Sequence, residues 1–177
     1  MRRLMAVTAI VVMLPLGLAV QNGCGKAPGA AKGAFGPAPT FDLPDLQGGR
    51  VKKDDLKGKV VVMDFWATWC GPCIEEIPHY REFLKTNESK GVQVLGVVFD
   101  SGEPKEISDF VREHQITYRQ LLGTDEILDA FGAGIGFPTT FVIDPEGRIR
   151  TKIVGSPAGK FDTLQRSVDE ALGKPAA

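Results

Sequence analysis

A strand-length apolar run that leads directly into two closely spaced cysteines constrains this chain more than any other feature. Residues 59–65 contain Val-Val-Val-Met without interruption, Trp66 follows them, and Cys70 and Cys73 come a few positions later. A continuous apolar run of this length predicts a strand that is covered on both faces. Pro72 suits the first turn of a helix, where a missing N–H leaves no helical hydrogen bond unmade. The sequence therefore predicts a buried strand and then a helix that begins at Cys70 or its neighbour.

The rest of the chain alternates between strand and helix patterns. A short hairpin is predicted around Gly48 and Gly49. The predicted elements after the cysteine helix are strands at 92–99, 116–122, 139–143 and 149–154, a helix from Pro104, and helices at 126–131 and 161–172. This order predicts an α/β fold in which helices cover both faces of a mixed sheet. At 177 residues, the chain is long enough for one such domain and a tail.

The spacing of the two cysteines favours reversible disulfide chemistry. Cysteines at positions i and i+3 of a first helical turn lie on one side of the helix, at a separation that a disulfide can bridge. The positive end of the helix dipole and the unpaired N–H groups there stabilise a thiolate on the first cysteine. Gly71, between the two, allows another backbone to approach closely. Cys70 is therefore the predicted nucleophile.

Other uses of the cysteine pair fit the sequence less well. A zinc site would need two further ligands, and the candidates are Cys24 and the isolated His79 and His114, which we interpret as surface residues. A purely structural disulfide would close too small a loop to stabilise the fold much, and a cysteine protease would need a base that the sequence does not identify. We expect no metal and no organic cofactor. The net charge of −1 gives no indication of nucleic acid binding.

The first 24 residues have the composition of an export segment. Two arginines precede an apolar stretch at 4–20, which predicts a cleaved signal peptide or a retained membrane anchor. Positive charge before the stretch places the following domain outside the cytoplasm in either case. We predict a signal or anchor at 1–24, a flexible tether rich in Gly, Ala and Pro at 25–38, and a folded domain at 39–177.

Cys24 adds a third mode of membrane attachment. It follows Gly23 at the end of the apolar segment, and this arrangement resembles a bacterial lipoprotein attachment site. Gln21 departs from the pattern, because such sites normally have an apolar residue three positions before the cysteine. Lipidation of Cys24 and an unmodified cysteine in a linker both remain open.

The sequence around the cysteines resembles the thioredoxin-like oxidoreductases. Residues 60–73, VVVMDFWATWCGPC, are similar to the active-site strand and helix start of thioredoxins, and Glu76 and Pro78 extend the similarity to the exported TlpA and ResA branch. Residues 136–141, GFPTTF, resemble the cis-proline loop of that family, and Gly155 matches a glycine after its final strands. The resemblance implies a thioredoxin fold with an N-terminal β-hairpin and an αβ insertion.

The resemblance also implies roles for individual residues. The peptide bond before Pro138 should be cis and lie beside the cysteines, where the backbone receives a substrate as an added strand. Asp64 should accept a proton from Cys73 when Cys73 attacks the mixed disulfide, and burial should raise its pKa, although many members of the exported branch have Asn there. Glu76 either tunes the same thiol or is an exposed helical glutamate. The substrate-binding residues implied are Trp69, Gly71, Pro72, Phe137 and Pro138.

By this resemblance the chain should be an exported thiol-disulfide oxidoreductase, and its Gly71-Pro72 dipeptide favours disulfide reduction. The expected partners are protein thiols and disulfides, for example in cytochrome c maturation, together with an upstream electron-donor thiol-disulfide protein and the membrane. The expected location is the periplasmic or extracytoplasmic side of the bacterial cell envelope.

Two alternative functions remain to be weighed. One is a thiol peroxidase of the peroxiredoxin type, but Met63 and Ala67 stand where its Pro-x-x-x-Thr-x-x-Cys pattern requires Pro and Thr. The other is a non-catalytic binding module that uses the cis-proline groove without turnover. Such a module would be expected to have lost the reactivity of one of its cysteines, and nothing in the sequence indicates such a loss.

Overall fold

The computed structural model describes residues 35–173, in which a central five-stranded sheet lies between two layers. The strands are β1 (Asp42–Pro44), β2 (Arg50–Lys52), β3 (Val60–Trp66), β4 (Val92–Val98), β5 (Arg119–Leu122), β6 (Thr139–Ile143) and β7 (Ile149–Val154). The helices are α1 (Gly71–Asn87), α2 (Pro104–Glu113), α3 (Asp125–Ala130) and α4 (Lys160–Ala171). The β1–β2 hairpin is antiparallel, and the remaining strands form the order β5-β4-β3-β6-β7.

The sheet is mixed, and the predicted α/β thioredoxin fold is confirmed. Strands β3, β4 and β5 run parallel to one another, whereas β6 is antiparallel to both β3 and β7. The α2–β5 segment adds an edge strand beside β4. The bounds of β6 and β7 coincide with those predicted, but the strand predicted at 116–122 begins only at Arg119. Ile116 is nevertheless buried, because the loop that carries it packs into the core.

Each residue of β3 is buried, and its side chains alternate between the two faces of the sheet. Val61, Met63 and Phe65 point to the face covered by the β1–β2 hairpin and α3, which we call the hairpin face. Val60, Val62, Asp64 and Trp66 point to the other face, which α1, α2 and α4 cover and which includes both cysteines. We call this second face the cysteine face.

The folded domain begins earlier than the predicted boundary at residue 39. The Phe35 N–H donates to Ile149 O at 3.4 Å, and Pro37 forms a bridge with Arg148. Ala38 is 3% exposed and donates its N–H to Gly147 O at 2.9 Å. The Gly and Pro content of residues 35–38 predicts a tether, but in the structure these residues pair with the turn between β6 and β7 and with the start of β7.

The predicted signal or anchor at 1–24, Cys24 and most of the tether lie outside the described residues. Among the helices of residues 35–173, none has both the length and the apolar character that crossing a membrane requires.

Candidate active site

The cysteine pair lies where β3 passes into α1. The Cys70 N–H donates to Ala67 O at 3.1 Å, which closes the turn, and Cys70 is the N-cap residue of α1. Cys70 and Cys73 form a disulfide with Cα atoms 5.3 Å apart. Cys70 Sγ also accepts the backbone N–H of Cys73 at 3.3 Å. This sulfur therefore sits among the unpaired N–H groups of the first turn, as the sequence predicts for the nucleophile.

An aromatic surface lies beside the disulfide. The Trp69 side chain is 62% exposed, yet its Nε1 donates to Asp100 O at 2.7 Å, which fixes the indole in place. Its ring centre is 6.0 Å from that of Phe137. The peptide bond from Phe137 to Pro138 is cis, as the resemblance implies. Gly71 and Pro72 are exposed at the start of α1, so the predicted substrate-binding residues are accessible or adjoin this surface.

Gly155 explains how the proline loop is held. Its N–H donates to Pro138 O at 2.7 Å, and its backbone has a φ of +75°, which favours glycine. The glycine that the resemblance singles out after the final strands is thus a direct backbone partner of the cis-proline.

Asp64 is buried on the cysteine face at the middle of β3. Its neighbours across the sheet are Thr140 in β6 and Gly96 in β4. Thr140 Oγ1 donates to Asp64 Oδ1 at 2.6 Å, and Tyr80 OH lies 2.9 Å from Thr140 Oγ1. Burial raises the pKa of Asp64 to about 6, against the lowering effects of Lys160 and the Thr140 hydrogen bond. The carboxyl therefore exchanges its proton close to neutral pH.

Glu76 is also buried, so the exposed helical glutamate, one of the two alternatives for this residue, is wrong. Its side chain accepts a hydrogen bond from Ser156 Oγ at 2.6 Å and contacts Lys160 Nζ at 2.5 Å. Lys160 Nζ in turn lies 3.9 Å from Asp64 Oδ1. Each of these three charged residues is 3% exposed. The structure thus links both predicted carboxylates through one lysine.

Sequence reasoning missed Lys160 and Ser156. Lys160 opens the last helix, and Ser156 lies in the loop before it. The one local signal was a lysine at a helix N-terminus, which the helix dipole disfavours. His79 is exposed as predicted, and His114 stacks on Phe110 with ring centres 3.8 Å apart. Within residues 35–173, no group of three or more His, Cys, Asp or Glu side chains is placed to hold a metal ion.

Comparison with known proteins gives one family. The AhpC/TSA family model matches residues 36–152. The chain is 36% identical over 161 residues to the thiol-disulfide oxidoreductase ResA of Bacillus subtilis (strain 168), covering 88% of this chain and 87% of that protein. It is 37% identical over 121 residues to ResA of Geobacillus thermodenitrificans (strain NG80-2), covering 67% and 68%.

Solved structures agree with these relatives. A thioredoxin-family thiol:disulfide interchange protein from Chlorobium tepidum TLS superposes with a TM-score of 0.68 at 32% identity, covering 81% of this chain and all of that one (100%). The thioredoxin domain of a thiol-disulfide oxidoreductase from Bacteroides vulgatus gives a TM-score of 0.67 at 29% identity, covering 76% and 98%. With its redox pair at a helix N-terminus, the chain is a thiol-disulfide oxidoreductase and belongs to the AhpC/TSA family.

Proposed function

We propose that this oxidoreductase reduces disulfides of proteins in the bacterial cell envelope, with Cys70 as the attacking and Cys73 as the resolving cysteine. The observation that carries the proposal is the position of Cys70 Sγ at the N-cap of α1, beside the exposed Trp69 and the cis-proline loop. An incoming protein segment can reach this sulfur along the aromatic surface. In the disulfide form both cysteines are largely covered, with Cys70 6% and Cys73 3% exposed, and Cys70 is the more accessible of the two.

The reaction transfers two electrons from the cysteine pair to the substrate. The Cys70 thiolate attacks one sulfur of a substrate disulfide, so a mixed disulfide forms and the first substrate thiolate leaves. Cys73 then gives its proton to Asp64, and the resulting thiolate attacks Cys70 Sγ. The bond between Cys70 and the substrate breaks, the second substrate thiolate leaves, and the Cys70–Cys73 disulfide remains. An upstream thiol-disulfide protein returns it to the dithiol.

Support for Asp64 as the proton acceptor comes from its environment. It lies on the same face of the sheet as the cysteines, and its pKa of about 6 suits a base that works near neutral pH. Support for reduction rather than oxidation comes from the Gly71-Pro72 dipeptide, which is that of thioredoxins. The ResA relatives carry the same general activity in their names.

Trapping of the mixed disulfide tests the assignment of the two cysteines. The Cys73→Ser variant should accumulate adducts through Cys70 when it meets a protein disulfide, whereas Cys70→Ser should lose all turnover and hold none. Adducts on Cys73 in the Cys70→Ser protein, with none on Cys70 in the other variant, would reverse the roles. Equilibration of the wild-type protein with glutathione buffers would give the reduction potential, and a value as oxidising as that of DsbA would contradict a reductase.

A role in cytochrome c maturation is the specific form of this proposal. Its substrate would be the disulfide of a Cys-x-x-Cys-His haem-attachment sequence in an apocytochrome. Reduction of such a peptide no faster than an unrelated disulfide peptide would argue against it. If the protein were instead a thiol peroxidase, its dithiol form would consume a hydroperoxide at least as fast as it reduces a disulfide. Met63 and Ala67 disfavour this function, because they replace the Pro and Thr of the peroxide site.

The proposed location follows from residues 1–24. We expect the protein to be attached to the membrane and to act outside the cytoplasm. Cys24→Ala separates the modes of attachment, because a lipid-anchored protein would be released or left unprocessed and a helix-anchored one would be unaffected. Recovery of uncleaved protein in the cytosol would exclude both.

A further inference from the structure

Lys160 is a buried cation in a position that disfavours positive charge. Its side chain is 2% exposed, and it is the first residue of α4, where the helix dipole is positive. Burial and the helix dipole therefore both make a positive charge costly at this position. Two carboxylates from different elements compensate for these effects, Glu76 of α1 at 2.5 Å and Asp64 of β3 at 3.9 Å. A neutral residue would avoid both costs, so packing alone does not account for a lysine here.

We propose that Lys160 is a positioning residue for the resolving step, whose ammonium joins Asp64 and Glu76 into one buried charge cluster and keeps Asp64 able to accept the Cys73 proton. This inference rests on the proposed function, in which Asp64 is the acceptor. The negative charge of Glu76 raises the pKa of Asp64, because like charges in a buried site disfavour each other. The Lys160 ammonium lowers the pKa of Asp64 and so offsets the effect of Glu76.

The proton transfer moves one negative charge from the cluster to the resolving cysteine. With Lys160 protonated and both carboxylates ionised, the cluster of Asp64, Glu76 and Lys160 carries a net charge of about −1 by ordinary valence. When Asp64 takes the proton from Cys73, the cluster becomes neutral and the negative charge passes to the Cys73 sulfur, which then attacks Cys70 Sγ. The cluster can therefore take up one proton from the resolving cysteine while its lysine stays charged.

Two buried tyrosines face the cluster, and both stay neutral. Tyr80 from α1 and Tyr118, which precedes β5, both interact with the two carboxylates. Burial raises the pKa of each tyrosine well above its usual value of 10.0, so neither ionises in the working range. From β6, the group that faces Asp64 is the hydroxyl of Thr140. None of these three hydroxyl groups supplies a charge beside Asp64 in the working range.

A cleft connects the cluster with solvent on the α4 side. It has a volume of about 380 Å³, and Glu76, Ser156 and Lys160 contribute to its walls, together with His79 and Asp162. Glu76 and Lys160 border this cleft whereas Asp64 does not, so a proton on Asp64 would reach water by way of these two side chains.

The test is the pH dependence of the resolving step in the Lys160→Gln variant. Purified reduced protein is mixed in a stopped-flow instrument with an aromatic disulfide whose thiolate is coloured, so that attack by Cys70 releases one coloured thiolate and resolution by Cys73 releases the second. In Lys160→Gln, the midpoint of the second phase should move upward by about 1–3 pH units, because an opposite charge at this range lowers a carboxyl pKa by that amount. The rate of the second phase at pH 7 should fall by about 2- to 90-fold, because the ionised fraction of Asp64 at that pH falls by this factor when its pKa rises from about 6 by 1–3 units.

Lys152→Gln is the matched control. Lys152 lies in β7, donates to Gly132 O at 2.8 Å and sits over the Phe141 ring on the hairpin face, away from the cluster. It should leave the midpoint within about 0.3 pH units of the wild type, which is below the smallest shift expected for the Lys160 variant. An unchanged midpoint in folded Lys160→Gln would overturn the proposal. If that variant fails to fold, Lys160→Met, which retains the length of the side chain, takes its place.

A second measurement separates this proposal from the proposed function. Infrared titration of the Asp64 carboxyl band, identified by its loss in Asp64→Asn, reports protonation without any turnover. Removal of the Lys160 charge should raise the pH at which this band appears, and an unmoved band would overturn the proposal. Unchanged resolution in Asp64→Asn would instead refute Asp64 as the acceptor, whatever the Lys160 variant shows in the infrared.

Discussion

Two buried aspartates in this domain each lie beside a basic side chain, yet the pKa of one is lowered and the pKa of the other is raised. Asp45 lies after β1, where it is 5% exposed and pairs with Arg119. Burial opposes its ionisation, but the Arg119 guanidinium and the N–H groups of Gly49 and Gln47 outweigh that effect, and the pKa of Asp45 is lowered. Asp64 has Lys160 at 3.9 Å and hydroxyl groups from Thr140 and Tyr80, but burial outweighs them and its pKa is raised to about 6.

The difference lies in how completely each carboxylate is supplied with donors. Asp45 accepts two backbone N–H bonds, at 3.0 and 2.7 Å, in addition to the guanidinium, whose side chain is 45% exposed and keeps contact with water. Asp64 shares its lysine with Glu76, which holds that ammonium more closely. A carboxylate with a full set of donors stays ionised and serves structure, whereas a partly supplied one remains able to bind a proton.

The largest effect should be on catalysis. Asp64→Asn keeps the shape of the side chain and removes the base, so the resolving step should slow by about 100-fold near pH 7, which is the lower range for general base catalysis. The first attack by Cys70 should be largely retained. The same stopped-flow assay measures both phases, and Asp45→Asn is the control, in which both rates should be unchanged. Equal resolving rates in wild type and Asp64→Asn would leave Asp64 as a packing residue.

The second effect is on the pH dependence of stability. The pKa of Asp64 in the folded state is raised above 3.8, so the folded protein binds more protons than the unfolded chain between about pH 4 and 6. The contribution of Asp64 is therefore fully present below pH 4 and is lost as pH rises through about 6, by an amount on the order of 3 kcal/mol. Urea unfolding of wild type and Asp64→Asn at several pH values should show the variant gaining in relative stability from pH 4 to 7.

A stability difference between the two proteins that stays constant across this pH range would contradict the raised pKa. The variant should be no less stable than the wild type at pH 7, because the substitution removes an imperfectly supplied buried charge.

The smallest effect should come from Asp45 and have the opposite sign. Asp45→Asn retains an acceptor oxygen for the backbone N–H groups but loses the charge facing Arg119, so the free energy of unfolding at pH 7 should fall by about 1 kcal/mol. Because the pKa of Asp45 is lowered in the folded state, its stabilisation is present above the unfolded value of 3.8 and is lost as pH falls through the folded pKa. The two proteins should therefore converge in stability in acid. A gap that instead widens there would break the contrast with Asp64.

The scaffold was largely predictable from sequence because its signals are local. The apolar run of β3, the proline at the start of α2 and the Asp-Pro-Glu-Gly turn at 144–147 each specify an element through neighbouring residues. The interpretation failed at residues 35–38, where small residues and prolines are typical of a linker. These residues are ordered by Arg148 and Gly147, more than a hundred positions away, and composition carries no information about such pairing.

The site residues that belong to thioredoxin-like motifs were predictable from sequence. Cys70, Cys73, Asp64 and the cis-proline loop all carry motif residues, and the resemblance placed the proline loop beside the cysteine pair. Lys160 has no motif, and its partners Glu76 and Asp64 are 84 and 96 positions away. Contacts of this kind arise only when α4 packs on the sheet, so sequence alone could identify the two acids but not the cation between them.

The pairing of Phe35–Ala38 fixes the end of the domain at which the chain enters it. Those residues join the turn between β6 and β7, while the disulfide lies at the other end of β6, beside Pro138. A five-residue strand spans about 17 Å, so the chain enters the domain roughly that far from its reactive sulfur. A partner that contacts Cys70 therefore approaches the end of the domain opposite to the one at which the chain enters it.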